Sequence, residues 1–80
     1  MDGLTMIDAG FNDVTGRIRL LLSESPIAEL RKLRVAQDGD RVTLEGRVGS
    51  FYVKQMAQET IRGAARGLQI VNCVNVETHP

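Results

Sequence analysis

The sequence predicts an α+β fold of order α-β-β-α-β, with two helices packed on one face of a small three-stranded mixed sheet. Three observations carry that expectation. Apolar residues recur at helical spacing up to Leu22, alternate from Lys32, and return to helical spacing after Ser50. The step Asp38-Gly39 lies between two alternating segments, which is a hairpin signal because glycine tolerates positive φ. The second helical stripe then joins the hairpin to a segment rich in β-branched residues, the connection that returns a strand parallel to its predecessor.

Eighty residues make one small domain, because chains divide into separate cores only well above that length. The composition, 42% hydrophobic and 25% charged, is that of a folded globular chain and argues against disorder or a collagen-like fibre. Apolar runs such as Leu20-Leu21-Leu22 fall far short of the ~20 residues of a transmembrane helix, so no membrane span is expected. Ten basic and ten acidic side chains give a net charge of zero, so no global field draws in nucleic acid or an anionic bilayer. The one cysteine, Cys73, cannot form an internal disulfide, and the one histidine, His79, adjoins the C-terminus. With no nucleophile–base pair and no metal-ligand cluster, the expectation is a non-enzymatic domain without cofactor or metal.

Residues 1–11 read as a loose arm containing Gly3 and Gly10, residues 12–78 as the domain, and residues 79–80 as a frayed end. Leu4, Met6, Ile7 and Phe11 are expected to fold back onto the domain, with contact to a partner as the alternative. Asp2 and Asp8 stand where an export signal would be basic and apolar, and no Lys or Arg precedes Arg17. A cytoplasmic or peripheral membrane location is therefore expected.

Asn12 or Asp13 can cap the first helix, whose stripe is Val14, Ile18, Leu21 and Leu22. Gly16 weakens that helix, and Pro26 ends it, since the residue before proline is pushed out of helical geometry. Ile27 to Leu30 predict one further buried turn. Alternation from Lys32 through Leu33, Arg34, Val35 and Ala36 predicts the first strand, and Arg41 to Val48 the second, with Val42 and Leu44 inward. Gly46 implies a bulge or a close approach by a packed helix. Ser50 can cap the second helix, with Val53, Met56, Ala57, Ile61 and Ala64 inward and Gly67 as the C-cap. Leu68 to Glu77 predict the third strand.

The run Gly39-Asp40-Arg41-Val42-Thr43-Leu44-Glu45-Gly46-Arg47-Val48-Gly49-Ser50 resembles the centre of a BON domain, the family named after bacterial osmotically induced and nodulation proteins. The pattern is a turn glycine, then Val-Thr-Leu-x-Gly-x-Val, a helix with alanines (here Ala57 and Ala64), a closing glycine (Gly67) and a last strand containing Asn72. The resemblance covers Val14 to Glu77, with the segment after Gly67 one residue short, which leaves the inward face of the last strand open. It implies a non-enzymatic module that binds phospholipid membranes or envelope-linked components.

The residues that would meet an anionic phospholipid surface are Lys54, Arg62 and Arg66, which with Gln58 recur every four residues along the second helix, and Phe51 and Tyr52 at its start. The alternative is a solvated helix face, with Glu59 paired to Arg62 and Phe51 packed on the hairpin. A second function class is a protein–protein adaptor that uses the open sheet face or the edge of the third strand, without lipid. Lys32, Arg34, Arg41 and Arg47 are expected on that open face beside Glu45. Gly46-Arg47-Val48-Gly49 matches the GxxG loop of KH domains, but it joins a strand to a helix, so nucleic acid is not an expected partner. Ser50 reads as a cap rather than an anion site, Asp38 and Asp40 as turn residues rather than cation ligands, and Cys73 as a small strand hydrophobe.

Overall fold

The computed structural model describes residues 14–78. The arm 1–11, the candidate caps Asn12 and Asp13, and His79 lie outside the described residues. The fold is α+β in the order α-β-β-α-β, with two helices and a three-stranded mixed sheet. The first helix, α1, spans residues 14–23 of the described chain and buries Ile18 and Leu22, with Val14 and Leu21 half-buried. The turn after Pro26 opens with the Leu30 N–H donating to the Ile27 carbonyl (3.0 Å) and continues as a short 3-10 helix, Leu30–Lys32, that buries Leu30.

Strand β1 is Arg34–Asp38, β2 is Arg41–Val48 and β3 is Gln69–Val76, in the spatial order β1-β2-β3. β1 begins two residues later than the alternation implies, because Lys32 belongs to the 3-10 turn. β1 and β2 are antiparallel, with Asp38 opposite Arg41, so the hairpin turn is Gly39-Asp40. Gly39 takes φ +62°, a conformation costly for residues with a Cβ. β2 and β3 run parallel, from Arg41 opposite Gln69 to Val48 opposite Val76.

Between β2 and β3 lies the second helix, α2, Phe51–Arg62. Ser50 is extended and its hydroxyl accepts from the Val53 N–H at 3.2 Å, satisfying one of the free amides of the first turn. The helix ends at Arg62 with Gly63 as C-cap, not at Gly67 as the stripe implies. Gly63 costs about 1 kcal/mol in a helix interior; its own φ −64° and ψ −38° are still helical, and turns follow it. Ala65 still donates to Ile61 (2.9 Å), and Gly67, at φ +85°, closes the turns leading to β3.

The core is a single cluster of Ile18, Leu22, Leu30, Val35, Val42, Leu44, Val48, Ala57, Ile61, Ala65 and Val74, with Val53 and Met56 packed at its margin. Gly46 belongs to the inward row of β2, between Leu44 and Val48. Opposite Val74 its register with β3 is unbroken, so there is no bulge on that side, and the β1 pairing ends one residue before it, at Arg34 opposite Glu45. The close neighbour is Leu33 rather than a helix: a Cβ on Gly46 would stand 2.5 Å from Leu33 Cδ2 and 3.5 Å from Leu33 Cα. Leu33, half-buried, fills the space that the missing side chain leaves.

The inward face of β3 carries Ile70, Asn72, Val74 and Val76, which stand beside Val42, Leu44, Gly46 and Val48. Val71, Cys73 and Asn75 share the other face with Thr43, Glu45 and Arg47.

Candidate binding surface

The surface at the start of α2 is built by the sharp exit from β2. Val48 is buried, Gly49 turns, and Ser50 caps, which sends Phe51 and Tyr52 out at the first two helical positions. Phe51 is 73% and Tyr52 67% exposed, the two most exposed of the large apolar side chains among the described residues, with Leu20 on α1 next at 54%. Phe51 therefore does not pack on the hairpin, contrary to that expectation.

The basic residues do not form one stripe opposite the core. At 100° per residue, Lys54 and Gln58 lie on the flank of α2 adjoining the buried positions Ala57 and Ile61, and both are half-buried. Asn72 Nδ2 donates to the Lys54 carbonyl at 2.9 Å and approaches Gln58 Oε1 at 3.4 Å, so this flank faces β3. Arg62 is exposed and pairs with Glu59, Nη2 to Oε2 at 2.7 Å. Arg66 is exposed but lies beyond the end of the helix, among the turns closed by Gly67. Lys54, Arg62 and Arg66 are thus three separate environments, with the aromatic pair in a fourth.

Negative charge also reaches this end of the molecule. Glu29 Oε2 accepts from the Gly49 N–H at 2.5 Å, which ties the turn before the 3-10 helix to the start of α2 and sets a carboxylate near its N-terminal dipole. That amide is therefore already occupied by an anionic group. Gly46 lies inside β2, so Gly46 to Gly49 form no clamp-like loop. Nothing in the sequence pattern singled out Glu29, whose partner lies 20 residues away.

The open sheet face has a shallow depression of about 570 Å³ among Lys32, Arg34, Glu45, Arg47, Cys73 and Asn75. Two of its three basic residues have an acidic neighbour: Arg34 approaches Glu45 at 4.0 Å and Arg47 approaches Glu77 at 3.7 Å, both exposed pairs of small energetic weight. Cys73 lies on β3, as its sequence setting implies, and is exposed on this face. Among the described residues there is no cluster of three metal-ligating side chains, and no helix is long and apolar enough to cross a membrane. Set against models of known protein families and against curated proteins, the chain finds no match in either.

Proposed function

We propose that the chain is a non-enzymatic binding module, similar to a BON domain, that associates peripherally with an anionic phospholipid surface through the start of α2. The observation that carries this reading is the side-by-side exposure of Phe51 and Tyr52 at a helix start. Aromatic side chains with an apolar body, and in Tyr52 a polar tip, suit the headgroup boundary. The α-β-β-α-β order and the glycine within β2 support the likeness to that family. Basic residues near an anionic surface contribute ~1 kcal/mol each, and Arg62 is engaged with Glu59. Insertion of the aromatics therefore contributes a share at least comparable with charge. Flotation of the full chain with vesicles of phosphatidylcholine alone and with added phosphatidylglycerol tests this. Binding to the anionic vesicles, stronger than to the neutral ones, is expected, and no binding to either at low salt overturns the reading. A second reading, a protein–protein module without lipid, is favoured by the uncharged edge of β3.

A further inference from the structure

We infer that the groove between α1 and the start of β1 binds an acidic peptide segment of a partner protein, through Arg19, Arg31 and Arg34. This contact is separate from the lipid contact, which lies at the start of α2. Thr15 and Arg19 stand four residues apart, so they share a flank of α1. Thr15 Oγ1 donates to Gln37 Oε1, which turns that flank toward β1 at one side of the sheet. Between them opens a groove of about 390 Å³. Buried Leu22 and Val35 and half-buried Leu33 form its floor, and the exposed Arg19, Arg31 and Arg34 stand around them.

Positive charge on this rim is oriented but not neutralised. Arg19 Nη2 donates to the Val35 carbonyl at 3.3 Å, and Arg31 Nη1 donates to the Ser25 carbonyl at 2.8 Å. Both acceptors are uncharged, so each guanidinium is held in place with its charge intact. A guanidinium carries five N–H donors, which leaves others for a ligand. Arg34 approaches Glu45 at 4.0 Å, an exposed pair of small energetic weight that an incoming carboxylate can replace. None of the described residues lining the groove is acidic. Asp2, Asp8 and Asp13 lie outside the described residues, which therefore carry ten basic and seven acidic side chains. That excess of positive charge complements an anionic partner.

The occupant follows from rim and floor together. A planar guanidinium meets a carboxylate through two parallel hydrogen bonds, so carboxylates suit the rim. The floor selects among carboxylate ligands, because a bare anion would leave Leu22, Leu33 and Val35 wet beneath it. In an extended peptide successive side chains point to opposite sides. Apolar residues can then enter the floor while the acidic residues between them meet the arginines. A nucleic acid would also reach the rim through its phosphates, but the lining holds no aromatic ring on which a base could stack.

Fluorescence anisotropy of a fluorescein-labelled Glu-Leu-Glu-Leu-Glu peptide, titrated with the full chain at low salt, tests the site. Saturable binding is expected, and it should weaken as salt is raised. Peptides with glutamine for glutamate, or with glycine for leucine, should bind about tenfold more weakly. Arg19→Gln and Arg31→Gln should each raise the dissociation constant about fivefold. Arg41→Gln, at the hairpin end of β2, should leave it unchanged. Amide shifts of the wild-type chain on adding the peptide should concentrate at Ser23, Leu33 and Val35, a readout that stands even if an arginine variant fails to fold. No binding at low salt overturns the proposal, as do shifts confined to another surface. Equal binding of the glutamine or the glycine peptide overturns it too, as does tighter binding of a single-stranded oligonucleotide at the same salt. Vesicle flotation reads the start of α2 instead, so either contact can fail while the other stands.

Discussion

Asn72 Nδ2 donates to the main-chain carbonyl of Lys54 at 2.9 Å, which ties edge strand β3 to the opening turns of α2 across 18 residues of chain. The same side chain accepts from the Val74 N–H at 3.2 Å. A half-buried amide thus serves helix and strand at once, in a row otherwise made of Ile70, Val74 and Val76.

Asn72→Ala removes these two bonds and the longer one to Gln58 Oε1 at 3.4 Å, and leaves a gap beside α2. Hydrogen bonds of this kind contribute about 0.5–1.5 kcal/mol each, so a loss of about 1–2 kcal/mol is expected in urea unfolding at unchanged m-value. A variant as stable as wild type would show that the amide merely occupies space.

The inward face of β3 was hidden in the sequence for a related reason. Ile70 and Val71 are both β-branched and apolar, so either parity satisfies a period of two, and Asn72 reads as an outward residue until its partners on α2 are seen. β2 was legible to its end residues because Val42, Leu44 and Val48 alternate with polar neighbours. The aromatic exposure at Phe51 depends on the angle at which the chain leaves β2, and the dispersal of Lys54, Arg62 and Arg66 depends on where α2 sits over β3 and where it ends. Spacing every four residues carries neither quantity.

Gly46 and Leu33 are a pair that only tertiary packing brings together. Gly46→Ala meets two obstacles, a Cβ 2.5 Å from Leu33 Cδ2 and a φ of +144° that residues with a Cβ rarely adopt. Strain of this kind costs about 1–3 kcal/mol. Leu33→Ala in the same chain clears the contact and leaves φ as it was. The double variant should therefore be less destabilised than the two single losses summed, by about 0.5–2 kcal/mol in a double-mutant cycle. Strict additivity would place the whole cost of Gly46→Ala in its backbone.

Ile61 is fully buried on the sheet-facing side of α2, within the cluster that includes Leu44 and Val74. Ile61→Ala opens a cavity there and should cost about 2–5 kcal/mol, a large share of the stability of so small a domain. Thermal unfolding by circular dichroism reads this directly, and an unchanged melting temperature would contradict the packing.

The surface prediction separates charge from insertion. Replacing Lys54, Arg62 and Arg66 together with glutamine removes three positive charges. Folding should change little, since Arg62–Glu59 is an exposed pair and Arg66 is solvated. Binding to phosphatidylglycerol vesicles should fall sharply, because these charges supply the attraction to phosphate. Wild-type binding should also weaken between low and physiological salt, as the Debye length contracts to about 8 Å. Tyr52→Ala and Phe51→Ala remove apolar contact instead, so their losses should persist nearly unchanged across that salt range. The two variant classes thus leave different salt signatures in one flotation series. If the triple variant bound as well as wild type while the aromatic variants failed, the contact would be apolar insertion alone. If none of the variants altered binding, the start of α2 would not be the lipid-contacting surface, and the protein-partner reading would take its place.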